Sequence, residues 1–199
     1  MSILKIGLTG GMGSGKTTVS KIFSVLGAPV FYADDAAKTI MNENAELKQK
    51  IVSLFGSEAY SENTLNRKYI SSVVFNDPFK LEQLNALVHP ITIAAADSWM
   101  QQQTTAYVIK EAALMFEAGA AAHLDYVIGV HAPQALRIQR VVHRDGITRE
   151  EALARMNNQL DENIKMKLCD FTIVNDEQQS VLGQVLALHE KFILMAAQG

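Results

Sequence analysis

The chain is poor in cysteine, in arginine and in long apolar runs, and each shortage narrows what it is. A single cysteine, Cys169, in 199 residues rules out an internal disulfide and fits a reducing compartment. No base partner for that thiol is identifiable, so it is expected to pack as a small apolar residue. The five histidines (89, 123, 131, 143 and 189) show no ligand spacing with it, which argues against zinc. No apolar run reaches the roughly 18 residues of a membrane helix, and no basic segment with a cleavage site opens the sequence. A soluble, cytoplasmic protein without a membrane partner is expected. The net charge of −3 supplies no general attraction to nucleic acid. Repeats, low-complexity tracts and coiled-coil heptads are absent too, and nothing implies an obligate protein partner.

What is present begins with Gly10-Gly11-Met12-Gly13-Ser14-Gly15-Lys16-Thr17, a match to G-x-x-x-x-G-K-[ST]. Glycines let backbone N–H groups turn inward around a phosphate where side chains would obstruct. The following helix aims its positive dipole end at the same anion. Lys16 is expected to reach the β- and γ-phosphates and the Thr17 hydroxyl to ligate Mg²⁺. Context supports the motif, since Ile3–Leu8 predicts a buried strand before it and Lys16–Leu26 a helix after it.

Further strands are expected at Ala28–Tyr32, Ala106–Ile109, Asp125–Val130 and Phe171–Val174, with helices over Ala132–Arg144 and Val181–Ala196. Thr148 and Glu151 form a capping-box pair opening another helix. From Ala36 to about Thr104 the pattern is helical without strong strand signals, with breaks at Phe55-Gly56, Asn76-Asp77-Pro78 and His89-Pro90. Alternating strands and helices imply an α/β, three-layer P-loop fold on a parallel five-stranded sheet. Ligands bind at the carboxyl ends of such strands. That edge would gather the P-loop, Asp34 and Glu111–Glu117. The expected organisation is a nucleotide-binding core (1–35, 105–132, 165–199), a helical acceptor-binding insertion (36–104) and a lid (133–164).

Five of the six arginines (137, 140, 144, 149 and 155) fall within that lid. A solvated helical face is one explanation. The other is that a P-loop enzyme needs cations against the charge developing on the transferred phosphoryl group. No D-x-x-G or N-K-x-D motif is present, which excludes the usual GTPase switch. Small-metabolite kinases fit better, with a compact core, a helical acceptor insertion and an Arg-rich lid that excludes water.

Beyond this generic class the chain resembles the dephospho-coenzyme A kinase family nearly end to end. The resemblance rests on Leu8–Thr18 with its doubled glycine, Ala33-Asp34 and Val88-His89-Pro90-Ile91. It continues through Leu114-Met115-Phe116-Glu117-Ala118-Gly119, Gln134-x-x-Arg137-x-x-Arg140 with Arg144-Asp145-Gly146, Arg155-x-x-x-Gln159 and Asp170-x-x-Ile173-x-Asn175. Three positions depart from the family pattern. Tyr32 replaces an Asp, Ala113 stands where Pro is usual, and Thr17 replaces a common Ser while keeping the hydroxyl.

The resemblance implies transfer of the ATP γ-phosphoryl to the ribose 3′-hydroxyl of dephospho-coenzyme A, with Mg²⁺, completing coenzyme A synthesis. It implies catalytic roles for Asp34 (general base or hydroxyl-orienting group), Lys16 and Arg140. Gly11, Met12, Gly13, Ser14, Gly15, Lys16, Thr17, Thr18, Arg137 and Asn175 would bind ATP. Asp34, His89, Phe116, Glu117 and Arg144 would bind the acceptor. Bland roles stand beside these: an N-cap for Asp34, an inter-helix hydrogen bond for His89, core packing for Phe116, an exposed loop for Glu117, and an ion pair with Asp145 or Glu151 for Arg144. Another small-metabolite kinase, or a nucleotide-dependent binding protein, are the alternatives.

Overall fold

The computed structural model describes residues 3–198. The chain divides into two compact units: Ala33–Ser98 forms one, and the segments up to Tyr32 and from Trp99 onward form the other.

The larger unit is built on five parallel strands. They are β1 (Leu4–Thr9), β2 (Val30–Tyr32), β5 (Tyr107–Glu111), β6 (Tyr126–His131) and β7 (Phe171–Val174); β3 and β4 lie in the smaller unit. Their order is β2-β5-β1-β6-β7, with Ile6 level with Ile109 on one side and Tyr126 on the other. The chain leaves β1 toward β2 and leaves β5 toward β6, so the neighbouring strands β1 and β5 flank a topological switch point.

Side chains alternate across this sheet. Ile6, Leu8, Ile109, Ile128, Val130 and Ile173 form one buried cluster with α1 (Lys16–Val25) through Val19 and Phe23. The same cluster takes Val185 and Phe192 from α9 (Val181–Gln198). On the other face a Cβ at Gly7 would meet Leu124 Cδ1 at 2.8 Å, and one at Gly129 would meet Met166 Sδ at 2.7 Å and Cys169 Sγ at 2.8 Å. Small residues there let the covering segments approach the sheet, completing three layers. Cys169 donates its S–H to Lys165 O at 3.2 Å, and burial pushes its thiol up to about 12. It is an inert packing residue, as expected.

Three further helices complete this unit: α6 (Gln134–Asp145), α7 (Arg149–Asn157) and α8 (Glu162–Lys167). The Thr148/Glu151 capping box opens α7, with both reciprocal hydrogen bonds made. Asp161 caps α8 by accepting from Asn163 N and Ile164 N.

The smaller unit carries α2 (Ala33–Glu43), α3 (Ala45–Phe55), α4 (Arg67–Asn76) and most of α5 (Pro78–Gln101). Leu47, Ile51, Phe55, Ala59, Leu65, Ile70 and Val88 form its core. Asn44 and Asn66 cap α3 and α4 by accepting from Leu47 N and Tyr69 N. Two details differ from the sequence reading. A hairpin of β3 (Tyr60–Ser61) and β4 (Thr64–Leu65) interrupts the helices; strands of two residues are too short to show a period. Its turn residues Glu62 and Asn63 both take positive φ (48° and 66°), as tight hairpin turns require.

The second difference is at His89-Pro90, which does not break the chain: α5 runs through Pro90. Proline removes one helix hydrogen bond. Packing of Val88 and Ile91 in the core offsets that cost, and Thr92 Oγ1 donates to the Val88 carbonyl at 3.0 Å.

Candidate active site

All five strands of the larger unit are parallel, so Thr9, Tyr32, Glu111, His131 and Val174 end at one edge. The P-loop leaves β1 there. Gly15 precedes α1 in the left-handed region (φ 99°, ψ 20°), with no side-chain cap. The first N–H groups of such a helix lack intrahelical partners and suit an anion. Lys16 Nζ donates to Gly10 O at 3.0 Å, folding the side chain back over the loop. Thr17 and Thr18 are exposed at the helix start.

Long-range contacts hold the loop in shape. Asn175, just past β7, donates from Nδ2 to Ser14 O at 2.8 Å and lies where a Gly15 Cβ would stand. Its own N–H donates to His131 O at 2.8 Å. A Cβ on Gly13 (φ 80°) would meet the Arg137 carbonyl oxygen at 2.5 Å, so α6 backbone packs directly on the loop.

Both leading arginines of α6, Arg137 and Arg140, come to the P-loop. Arg140 donates to Gly13 O (3.5 Å), Asn175 O (3.2 Å) and Glu177 Oε1 (3.0 Å). Arg137 is 7 % exposed, so a solvated face does not explain it. Its guanidinium pairs with Glu162 Oε2 at 3.2 Å. Glu162 also accepts from Gly11 N at 3.1 Å, and Gln159 Oε1 accepts from Met12 N at 2.9 Å. A cavity of about 420 Å³ adjoins these groups, lined by His131, Gln134, Arg137, Gln159, Asp161 and Glu162 among others. Thr9 Oγ1, Ser14 Oγ, His131 Nδ1, Arg137 Nε and Glu162 Oε1 are buried without a hydrogen-bond partner. Two of these atoms, His131 Nδ1 and Glu162 Oε1, face each other at 3.5 Å as an ion-pair contact.

The remaining candidates are placed unevenly. Glu117 Oε1 accepts from Leu160 N at 2.9 Å and pairs with Lys165 Nζ at 3.0 Å. Lys165 is fully buried and also donates to Ala113 O at 3.0 Å. Burial pushes the Glu117 carboxyl up, but hydrogen bonds from Leu160 N–H and Lys165, with the Lys165 charge, outweigh it and leave a net lowering. Glu117 is therefore an engaged carboxylate, not an idle loop residue. Arg144 pairs with Asp145 (2.7 and 3.0 Å), which also lies 3.6 Å from Arg155. Phe116 is half-buried in the connection after β5.

In the smaller unit, Asp34 occupies the first turn of α2. The helix starts at Ala33, so Asp34 is not its N-cap. Neighbouring Asp35 pairs with Lys38 at 2.5 Å. His89, on α5, is close enough to feel the Asp34 charge. Burial lowers the His89 imidazole from its ordinary 6.5, and Asp34 opposes that by raising it. A histidine with a lowered pKa stays neutral in the folded state while the unfolded chain takes a proton near 6.5. Stability is therefore expected to fall as pH drops below 6.5. Melting temperatures at pH 7.5 and 5.5 should show a smaller drop for His89→Gln than for the wild type; equal drops would remove this contribution.

Glu162, Gln159, Lys165 and His131 complete the site, and sequence reasoning assigned none of them a role. Gln159 had a signal, its place in the Arg155-x-x-x-Gln159 segment. Glu162 had none, because an isolated carboxylate at a helix start reads as an ordinary dipole partner. Among the described residues no cluster of three or more His, Cys, Asp or Glu side chains is arranged to hold a metal ion. The exposed Thr17 side chain carries a hydroxyl at the start of α1.

A glycine-rich loop ahead of a helix, at the switch point of a parallel sheet and with two arginines brought onto it, defines a P-loop kinase of the small-molecule type. Within that class the chain belongs to the dephospho-CoA kinase family, whose profile matches residues 4–180. A dephospho-CoA kinase of Salinibacter ruber is 41 % identical over 175 residues, spanning 86 % of this chain and 88 % of its own. A Thermus thermophilus crystal structure superposes with a TM-score of 0.84 at 31 % identity, covering 96 % of this chain and 98 % of that one. Dephospho-CoA kinase from Campylobacter jejuni gives 0.63 at 29 % identity, over 98 % and 95 % of the two chains. No helix among the described residues is long and apolar enough to cross a membrane.

Proposed function

We propose that this chain transfers the γ-phosphoryl group of ATP to the ribose 3′-hydroxyl of dephospho-coenzyme A, in the cytoplasm. The observation that carries this reading is the family relationship over residues 4–180, which takes in the P-loop and the segments converging on it. Gly11 to Thr18 would hold the phosphates, and Lys16 would bridge β and γ. Thr17 would ligate Mg²⁺, which neutralises phosphate charge when bound. Arg137 and Arg140 already reach the loop and would stabilise the transferring group. Asn175 would keep the loop in shape beside the nucleotide. Residues 133–164 would act as the lid.

On the acceptor side Asp34 would take or orient the 3′-hydroxyl proton, with neutral His89 nearby to bind the acceptor. Phe116 offers an aromatic face after β5. Glu117 and Arg144 would reach the acceptor only by exchanging their partners Lys165 and Asp145; we assign Glu117 first to holding the 160–165 segment. The test is ADP release from Mg-ATP with dephospho-coenzyme A, AMP, shikimate, gluconate or no acceptor. Turnover is expected with dephospho-coenzyme A alone. Stimulation by AMP instead would replace this acceptor, and ATP binding without any acceptor-dependent turnover would point to a binding protein.

A further inference from the structure

We propose that Glu162 is an internal stand-in for a nucleotide phosphate: in the nucleotide-free protein its carboxylate occupies the Gly11 N–H of the P-loop and the Arg137 guanidinium, and ATP binds by displacing it. The inference rests on the use of this loop for ATP. One oxygen, Glu162 Oε2, takes a hydrogen bond from the Gly11 backbone N–H at 3.1 Å and one from the Arg137 guanidinium at 3.2 Å. A backbone amide of a P-loop and a buried arginine are the donors that a phosphate oxygen would use.

The next amide is taken as well, by Gln159 Oε1 on Met12 N. Two side chains of one short segment thus cover two consecutive loop amides. The Glu162 side chain is 10 % exposed and that of Arg137 is 9 % exposed. Neither charge would be stable there alone, since an unpaired buried ion is strongly penalised. Exchange of carboxylate for phosphate keeps Arg137 paired throughout, so displacement costs less than baring the cation would.

The second carboxylate oxygen supports the same conclusion. Glu162 Oε1 is buried and makes no hydrogen bond; its one close partner is His131 Nδ1, a loose ion-pair contact at 3.5 Å. A permanent structural carboxylate would be expected to satisfy both oxygens. The far side of the segment is fastened by Glu117 to Leu160 N–H and Lys165, which leaves the Glu162 contacts as the ones that open. ATP binding is thereby coupled to withdrawal of the Glu162 and Gln159 side chains from the loop while the backbone of 160–165 stays fastened, and a lone weak anion competes poorly with a tethered one.

When the binding-competent form is a minor fraction, apparent affinity falls by that fraction. Calorimetric titration of ADP into the full chain and into Glu162→Gln and Glu162→Ala is therefore expected to show about tenfold tighter binding in both variants. KM for ATP should fall with kcat not raised, and the ligand-free melting temperature should fall because Arg137 and Gly11 N–H lose their anion. Glu162→Gln keeps side-chain length, so the fold is retained even if alanine disturbs α8. Unchanged or weaker ADP binding in the glutamine variant would overturn the proposal and make Glu162 a fixed part of the site. Failure of the wild type to bind ADP would instead overturn the ATP reading itself, and this one with it.

Discussion

Lys16→Ala is expected to lower kcat roughly 10²–10³-fold, in line with loss of one preorganised cation or donor from a developing anionic centre. Lys16 is the first residue of α1, and its ammonium already folds onto the loop at Gly10 O, 3.0 Å away. Alanine is the strongest helix former, so α1 should persist. Backbone amides and both arginines remain to hold a nucleotide, so ADP affinity should fall much less than turnover. Lys16→Arg should not restore the rate, because a broad planar guanidinium does not replace a compact ammonium inside a tight loop. The check is kcat for ADP release with saturating acceptor, beside ADP binding by calorimetry. A kcat within about threefold of wild type would remove Lys16 from the transition state.

Asp34→Asn should cut kcat about 10²–10⁴-fold, the range of general acid–base contributions, with ATP affinity little changed. Asp34 lies two residues past the end of strand β2, in the first turn of α2, and its charge reaches His89. The substitution loses a helix-dipole interaction of about 0.3–1 kcal/mol, too little to unfold the protein. The pH profile separates two roles. If Asp34 is the base, the acid limb of kcat/KM disappears in the variant; if it only orients the hydroxyl, that limb persists at reduced height. Asp35→Asn is the control, since its exposed carboxylate pairs with Lys38 on the same helix and such pairs contribute little. Near-normal turnover in Asp34→Asn would remove the assignment.

Much of the core was readable because its signals are local. The β1 strand, the glycine loop and α1 follow from a buried run, from backbone freedom at Gly13 and Gly15, and from helical spacing of Val19 and Phe23. The Thr148/Glu151 capping box was readable for the same reason, its partners lying three residues apart. Pro90 was misread because the loss of one helix hydrogen bond is a local cost, whereas the packing of Val88 and Ile91 that offsets it is tertiary.

The sequence by itself determined that this protein carries a P-loop, that its sheet is parallel, and, through the matching segments, its family. Those features rest on φ preferences, on periodicity and on motif spacing within a few residues. Only the tertiary structure decided what each charged side chain of the site is paired with. Glu162 meets Gly11 across 151 positions, and Asn175 meets Ser14 across 161. Glu117 has Lys165 as its partner, and Arg137 turns inward to the loop. Which charges are buried together follows from how strands and helices stack, and chain separation on that scale leaves no local trace for periodicity or propensity to carry.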